Sequence, residues 1–350
     1  MAEVLTSATT PLSLRDDRTF GSHVFTSFGE KPIDYTGELV RLLQDVSTAS
    51  RMISAGVRNV GLPVRGETLV QNPEEIKSGQ QHCLQRRDFD AHMATEILYR
   101  MLYHDGHLCL ILSPTQAEPM HLPDNVPFGT YVLCLSALER DPLFPEWSVC
   151  GTLFSIYKRV SHAGQKGTVA DLIRKGSEQV AAGYVIYGNS TVLAYSIGNG
   201  VHFFTMHPNI KEFFQCSKKV ISDTDGKFLH VNNQECEEWD ANVKGLVEEL
   251  SKKDYHIRYT NNLVADFHHL LSTGGIIACP ATKKNPTGPL HFLCQAAPLA
   301  FLAEQAGMQA TNGHTRILDL KPDHIHAHTP MYISSAANMV DIQKHLRPSS

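Results

Sequence analysis

The stretch Val180-Ala-Ala-Gly-Tyr-Val-Ile-Tyr-Gly188 opens a series of short apolar segments in the middle of the chain. Two more segments of strand length, residues 191–197 and 201–206, follow it after glycine-containing breaks. Short apolar runs bounded by glycine and rich in β-branched and aromatic residues are typical of neighbouring strands. The stretch therefore predicts a β-meander at the centre of the fold.

Both flanks of this meander alternate strands and helices. Apolar residues at three- and four-residue spacing predict helices, whereas short apolar runs predict strands. The predicted helices cover 35–57, 89–102, 242–250, 263–271, 299–305 and 336–346. The predicted strands outside the meander cover 107–112, 130–135, 152–160, 275–279, 317–320 and 331–334.

This alternation predicts an α/β fold with two halves that join near residue 215. Residues 1–32 carry no clear periodicity and are interpreted as a loose N-terminal arm. The first α/β half then covers 33–215, and the second covers 216–350 after a polar break at 217–226.

Composition excludes several classes of protein. The chain has 350 residues, a net charge of −5 and 42% hydrophobic residues, so it can bury a sizeable core but lacks a bulk positive charge. Binding to a nucleic acid polymer or to a membrane is therefore not expected. Eight scattered cysteines without a CxxC motif, and an N-terminus unlike a secretory signal, favour a cytoplasmic location with reduced thiols.

A set of motifs resembles class I fructose-1,6-bisphosphatases in order and spacing. They lie at 36–38, 180–188, 199–201, 208–210, 212–214, 258–259, 264–268, 274–276, 280–284, 298–300, 304–307, 325–326 and Pro330. The resemblance covers roughly residues 33 to 346 and implies the layered sugar-phosphatase fold with two α/β halves. It also implies a dimer or tetramer, an N-terminal effector-type half and a C-terminal sugar-phosphate half.

The family resemblance also locates a metal site, built from carboxylates in three segments. Hard divalent ions such as Mg²⁺ need several such oxygen ligands to activate water and polarise a phosphoryl group. Here the first segment reads Ser113-Pro-Thr-Gln116, without the family's two glutamates. In the second, Ser136 replaces an aspartate, Glu139 keeps a carboxylate and Arg140 replaces a glycine. In the third, Gln295 replaces a glutamate.

The residual metal ligands are therefore Glu139 and, more weakly, Gln295, and Mg²⁺ is implied only if the chain is active. Asp88 or Asp90, near His92, are the weak candidates for the acidic groups that position water in the family. The alternative for Glu139 is a solvated charged turn. The alternative for both aspartates is a helix start, where negative charge is favourable.

The sugar-phosphate ligands are also partly replaced. Asn232, Arg258 and Tyr259 match the substrate-binding positions of the family, in which the arginine is lent by a neighbouring subunit. Two other tyrosine positions carry Glu235 and Cys279. A glutamate repels a phosphate dianion, so the resemblance implies an altered pocket. Arg258 could equally be an ordinary interface residue.

The effector site is implied at a helix start. Thr36, Gly37, Glu38 and Leu39 would present backbone N–H groups to a phosphate, and Tyr131 matches the adenine-side tyrosine of the family. A sugar phosphate or a nucleotide would be the effector. The alternative is simply a helix capped by Thr36.

Three alternating histidines, His324, His326 and His328, suggest a zinc site if they share one face of a strand. An ordinary structural role is the preferred interpretation.

The sequence therefore predicts a catalytically impaired fructose-1,6-bisphosphatase-like protein of carbohydrate metabolism, acting as a regulatory or structural subunit. It would assemble with itself or with an active paralogue. The alternative is an active magnesium-dependent phosphatase that hydrolyses the 1-phosphate of fructose 1,6-bisphosphate with a rebuilt metal site.

Overall fold

Two β-sheets alternate with layers of helices in the computed structural model, which describes residues 18–29, 37–60, 89–141, 148–220 and 226–346. The larger sheet has seven strands in chain order, with β1 and β2 parallel and all other neighbours antiparallel. Its strands are β1 (Leu108–Leu112), β2 (Tyr131–Arg140), β3 (Cys150–Lys158), β4 (Gln179–Tyr187), β5 (Thr191–Ser196), β6 (Val201–Met206) and β7 (Phe213–Val220).

The smaller sheet has five strands in the order β12-β14-β10-β8-β9, and a two-stranded ribbon pairs β11 with β13. These strands are β8 (Phe228–His230), β9 (His256–Arg258), β10 (Ile276–Cys279), β11 (Leu290–His291), β12 (Gln309–Thr311), β13 (His328–Thr329) and β14 (Met331–Ser334). The α-helices are α1 (Phe20–Gly29), α2 (Gly37–Arg58), α3 (Ala91–Leu102), α4 (Ala241–Lys252), α5 (Leu263–Thr273), α6 (Ala297–Gln305) and α7 (Ala336–Leu346).

Both faces of the larger sheet are covered, which explains why its strands are almost continuously apolar. Alternate residues of β2 show this directly: Val132 and Cys134 join the core under α5 and α6, whereas Leu133 and Leu135 join the core under α1, α2 and α3. A third core lies between the smaller sheet and helices α4 and α7. The layers therefore run helix, sheet, helix, sheet, helix, and the predicted layered α/β fold is confirmed.

Gly183 shows why the central stretch has the sequence it has. It lies in β4, opposite Phe154 of β3 and Tyr195 of β5. A Cβ atom at residue 183 would lie 2.3 Å from the Phe154 ring. Because that distance is far below van der Waals contact, only glycine lets the Phe154 ring cross the strand there.

The structure corrects three expectations about secondary structure. The loose arm expected over 1–32 is wrong for residues 20–29, which form α1, with Phe20 and Val24 in the core. The strand expected over 317–320 is wrong as well, because Ile317–Asp319 forms a 3-10 helix. The polar break expected from residue 217 begins later, since β7 continues to Val220. Among the described helices, none is both long and apolar enough to cross a membrane.

Candidate functional site

A cavity of about 260 Å³ lies between the end of β2 in the larger sheet, the start of α5, and the ends of β8 and β10 in the smaller sheet. Strand β2 contributes Glu139, the start of α5 contributes Asn262, and the turn after β8 contributes Asn232. Tyr259 and Gln295 complete the set of predicted site residues that line this cavity. The fold therefore brings together four of the predicted residues: Glu139 and Gln295 of the metal site, and Asn232 and Tyr259 of the sugar site.

Two of the three segments implied as a metal site, those of Glu139 and Gln295, line this cavity, whereas residues 113–116 after β1 are not part of its described lining. The Cys294 thiol lies 3.9 Å from the Leu112 carbonyl at the end of β1, and its neighbour Gln295 contacts Glu139. A five-residue π-helix, Phe292–Ala296, holds both residues. Single-turn π-helices are often found at functional sites. The chain thus brings Glu139 and Gln295 into direct contact and places Cys294 against the end of β1.

The Glu139 carboxylate accepts hydrogen bonds from neutral groups of the protein. Its Oε1 accepts a hydrogen bond from the Ser136 hydroxyl and another from Gln295 Nε2, at 2.6 Å in the second case. Gln295 Oε1 accepts from the His291 backbone N–H at 2.8 Å, which fixes the orientation of the Gln295 amide. The pairing of β2 with β3 shifts register between Ser136 and Glu139, and this irregularity puts both side chains on the same side.

The charge around the cavity is unfavourable for phosphate. Among the described residues that line it, Glu139, Glu235 and Asp266 carry carboxylates, and Arg140 carries the one guanidinium. Like charges repel strongly when water is partly excluded. A ligand with two phosphate groups would therefore need additional cations to enter.

The predicted substrate-binding residues are only partly assembled. Asn232 Oδ1 accepts from the Gln234 backbone N–H at 3.3 Å, which caps a 3-10 helix. The Tyr259 hydroxyl donates to Asn261 Oδ1 at 2.7 Å. Burial, together with the nearby Cys279 and Glu235, raises the pKa of Tyr259 to about 12. Arg258 is exposed on β9 and does not line the cavity within this chain.

The two asparagines before α5 were missed by the sequence reading. Asn262 caps α5 by accepting from the Ala265 N–H at 3.0 Å, and its amide donates to the Glu139 carbonyl at 3.3 Å. Asn261 donates to Asp141 Oδ1 at 2.8 Å and has a left-handed φ of 53°, which asparagine tolerates. The Asn-Asn pair before an apolar helical run was the available signal.

A buried histidine network beside the cavity was also missed. His230 Nδ1 lies 3.0 Å from Asp266 Oδ1, and His230 Nε2 lies 3.2 Å from His269 Nδ1. Burial, Arg258 and His230 lower the pKa of His269. His230 is 36 residues from Asp266 and 39 from His269 along the chain, so spacing gave no signal for these contacts.

The three alternating histidines do not form a zinc cluster. His326 Nδ1 lies 3.1 Å from His291 Nε2, and His326 Nε2 lies 3.0 Å from the Ala117 carbonyl, so its ring nitrogens have protein partners. Burial, with His326, His328 and His324 nearby, lowers the pKa of His291 to about 3. A neutral imidazole at position 291 does not supply a charge for phosphate binding.

Asp90 caps a helix. Its carboxylate accepts from the Met93 N–H at 2.8 Å and is the N-cap of α3, as the structural alternative predicts. Asp88 lies outside the described residues.

The described effector-type residues lie at the start of α2 and at the start of β2. Glu38 lies at the first turn of α2, and Leu39 and Tyr131 share one buried core. The Tyr131 N–H donates to the His107 carbonyl at 3.0 Å, and the charge of Glu38 also acts on His107. Gly37 begins α2, whereas Thr36 lies outside the described residues.

Comparison with known proteins gives a consistent result over nearly the whole chain. Residues 22–218 match the family model for the fructose-1-6-bisphosphatase N-terminal domain, and residues 222–347 match that for the C-terminal domain. Class 1 fructose-1,6-bisphosphatase of Chloroherpeton thalassium is 38% identical over 327 residues, 91% of this chain and 90% of that protein. Those of Chlorobium luteolum and Chlorobium chlorochromatii are 36% and 37% identical over 314 residues, each covering 87% of this chain and 90% of the relative.

Proposed function

The chain belongs to the fructose-1,6-bisphosphatase family, and from that premise we propose that it acts in carbohydrate metabolism but is impaired in the metal-assisted hydrolysis of phosphate esters. Its role would then be that of a regulatory or structural subunit. The single observation that carries this proposal is the hydrogen bonding of Glu139. Its Oε1 is occupied by the hydroxyl of Ser136 and the amide of Gln295, where a metal site needs further carboxylates.

Magnesium does not fit the groups present. Mg²⁺ prefers octahedral oxygen coordination and binds through carboxylates together with substrate phosphates and water. Gln295 directs its Nε2 donor, and not its oxygen, at Glu139, because its Oε1 accepts from the His291 N–H. Among the described residues, no group of three potential ligands is found at this cavity.

The charge of the cavity supports the same proposal. Its described lining holds three carboxylates and one guanidinium. A bisphosphate substrate would add further negative charge to a partly buried space, and no cation set is present to offset it. Under this proposal the cavity has lost both the metal ion that would act as a Lewis acid and the positive charge that would bind the substrate phosphates.

The second candidate function is an active magnesium-dependent fructose-1,6-bisphosphatase. The identity of 36–38% to relatives named as class 1 fructose-1,6-bisphosphatases favours it, as does the convergence of Glu139, Asn232 and Tyr259 on one cavity. In that case Glu139 and Gln295 would contact the ion, and Asn232 and Tyr259 would hold the sugar phosphate.

Phosphate release separates the two candidates. The purified full chain is incubated with fructose 1,6-bisphosphate and Mg²⁺, and inorganic phosphate is measured against a chelator control. We expect no release above background, because the charge of the metal site is lost at most ligand positions. Metal-dependent release that disappears in Glu139→Gln would establish the active enzyme instead.

We also propose that the chain assembles through β9, either with itself as a dimer or tetramer or with an active paralogue. This strand is the edge of the smaller sheet, and its residue Ile257 is 42% exposed beside the exposed Arg258. The following residue, Tyr259, is 44% exposed. Exposed edge strands with apolar residues are common sites of association.

Sedimentation tests the assembly proposal. We expect Arg258→Ala to shift the full chain towards smaller species. Truncating a charged residue in an interface removes its contacts and leaves the groups that it contacted on the other subunit unpaired. Arg100→Ala is the matched control, since Arg100 is an exposed arginine on α3 paired with Glu96. A wild-type chain that is monomeric at micromolar concentration, or an unchanged profile in Arg258→Ala, would contradict the proposal.

Three further expectations remain proposals. The division into halves at 33–215 and 216–350 is supported by the separate sheets, although β7 crosses residue 215 and residues 20–29 of the arm expected at 1–32 form α1. A cytoplasmic location is supported by the free thiols of the described cysteines. A sugar-phosphate or nucleotide effector near Gly37 is supported by the start of α2 at this residue, because the N-terminus of a long helix favours a phosphate.

A further inference from the structure

A second group of ionisable side chains lies at the opposite end of β2 from Glu139. Asp45 lies on α2, and Asp105 and His107 lie in the connection between α3 and β1. One carboxylate oxygen of Asp45, one of Asp105 and one imidazole nitrogen of His107 all lie within 4.8 Å of one another. Residues from two distant parts of the chain thus place three ligand-type atoms around one point.

Two of these side chains hold polar atoms that are buried without a partner. Asp45 Oδ2 and His107 Nε2 have no hydrogen-bond partner among the described residues. His107 as a whole is only 6% exposed, so water does not reach it freely. Buried polar atoms in native proteins are almost always bonded, and exceptions point to a bound group or to function. Glu38 Oε2 is a further atom of this kind near His107.

The charges in this group favour a cation. Burial and the neighbouring Asp105 raise the pKa of Asp45 to about 7, because two carboxylates share a partly dry space. Burial also lowers the pKa of His107, which keeps its imidazole neutral and its lone pair available. His104 and Arg41 act in the opposite direction on the pKa of Asp45, and His104 Nε2 lies 3.4 Å from Asp105 Oδ1.

We propose that Asp45, Asp105 and His107 bind a divalent transition-metal ion of the Zn²⁺ class. Two carboxylate oxygens and one imidazole nitrogen form a ligand set that suits Zn²⁺ better than Mg²⁺, which prefers oxygen alone. Ligand atoms bound at about 2.0–2.2 Å lie roughly 3–4.4 Å from one another. The observed limit of 4.8 Å therefore requires only a small contraction of the side chains.

Such an ion would connect α2 to the start of β1. The His107 carbonyl accepts from the Tyr131 N–H, and Glu38 lies near the same imidazole. The site is distinct from the cavity at Glu139, and it does not depend on whether that cavity hydrolyses phosphate. Its expected role is to stabilise the contact between α2 and the larger sheet, because an ion that binds only the folded state stabilises that state.

Zinc titration of matched full-length proteins tests the proposal. Metal-free wild type, Asp105→Asn and His107→Gln are titrated with Zn²⁺ by calorimetry, and their thermal unfolding is followed with and without the ion. We expect wild type to bind one Zn²⁺ that each substitution weakens about tenfold or more. The Zn²⁺-dependent rise in Tm should fall in parallel. Asp105 is exposed, so Asp105→Asn is expected to fold even if His107→Gln does not.

Asp124→Asn is the control for charge, because Asp124 is an exposed carboxylate that pairs with Lys166. It should bind Zn²⁺ as the wild type does, and other histidines that bind zinc would contribute equally to all four proteins. X-ray absorption at the zinc edge should show oxygen ligands and an imidazole. A titration that is the same in wild type and Asp105→Asn, or zinc bound through sulfur, would overturn the proposal. So would saturable binding that His107→Gln, if folded, leaves unchanged.

Discussion

The cavity at Glu139 and the cluster at Asp45 differ in how the chain satisfies its carboxylates. Glu139 accepts hydrogen bonds from Ser136 and Gln295, both neutral groups of the protein. Asp45 instead lies beside Asp105 and His107, with one carboxylate oxygen buried and unbonded among the described residues. The first region is the one that we propose has lost the metal-binding charge of the family. The second has the chemistry of a metal site and lies at the other end of the strand.

This difference teaches that the chain can satisfy a carboxylate with neutral hydrogen-bond donors in one region and leave a carboxylate oxygen without such a donor in another. Hydrogen bonds from neutral donors stabilise a carboxylate without any ion, whereas an unpaired buried carboxylate costs free energy until a proton or a cation reaches it. Substitutions should therefore have opposite effects in the two regions.

The largest effect on stability is expected from His291, which lies beside the cavity. Its pKa is lowered to about 3 in the folded chain, while an unfolded histidine has a pKa of about 6.5. Stability should thus be full above pH 6.5 and fall as the pH decreases, by up to about 3 kcal/mol at pH 4. His291→Asn keeps an acceptor for the Cys294 N–H and removes this titration. Urea unfolding at several pH values from 7 to 4 should show that the free energy of unfolding falls less steeply with decreasing pH in the variant. An equal pH dependence in the variant and the wild type would contradict this account.

A smaller effect of opposite pH dependence is expected at Asp45. Its pKa is raised to about 7 by burial and Asp105, while an unfolded aspartate titrates near pH 3.9. The metal-free chain should therefore lose stability as the pH rises from about 4 to 7. Asp45→Asn should stabilise the chelator-treated protein at pH 7.5 by about 1–2 kcal/mol, after allowance for solvent screening. Asp124→Asn serves as the control, and destabilisation of Asp45→Asn under these conditions would show that its charge is paired.

The smallest effect is expected at Glu139 itself. Gln at this position can still accept from Ser136 and Gln295 through its amide oxygen. Glu139→Gln should change the free energy of unfolding by less than about 1 kcal/mol, with or without Mg²⁺. The measurement is urea unfolding at pH 7.5 in both conditions. If added Mg²⁺ stabilised the wild type and not the variant, an ion would be bound at Glu139.

Much of the fold could be predicted from the sequence because its local signals agree with the tertiary structure. Two examples are the meander around Gly183 and the run of apolar residues at three- and four-residue spacing in α2. Helix α1 was missed because its buried face includes the polar residue His23, which is satisfied by Tyr195 at a separation of 172 residues. A contact between residues so far apart in the chain leaves no periodic pattern within the ten residues of α1.

The contact between Glu139 and Gln295 could be predicted only in part. The family resemblance predicts that both residues belong to one site, whereas the hydrogen bond between them depends on side-chain orientation and on the register shift in β2. Asp45 and His107 come together only through the packing of α2 against the start of β1. The spacing of these residues along the sequence does not indicate this tertiary contact, so the cluster could not be found without the structure.

The most direct test of the central claim is to restore the charge at the Glu139 cavity. A variant carrying Pro114→Glu, Thr115→Glu, Ser136→Asp, Arg140→Gly and Gln295→Glu is titrated with Mg²⁺ by calorimetry beside the wild type, and circular dichroism verifies that both are folded. The account predicts saturable Mg²⁺ binding in the restored variant and none at this cavity in the wild type, because several carboxylates are needed for a hard cation. Wild-type Mg²⁺ binding that Glu139→Gln abolishes, or a folded restored variant that binds no Mg²⁺, would contradict it.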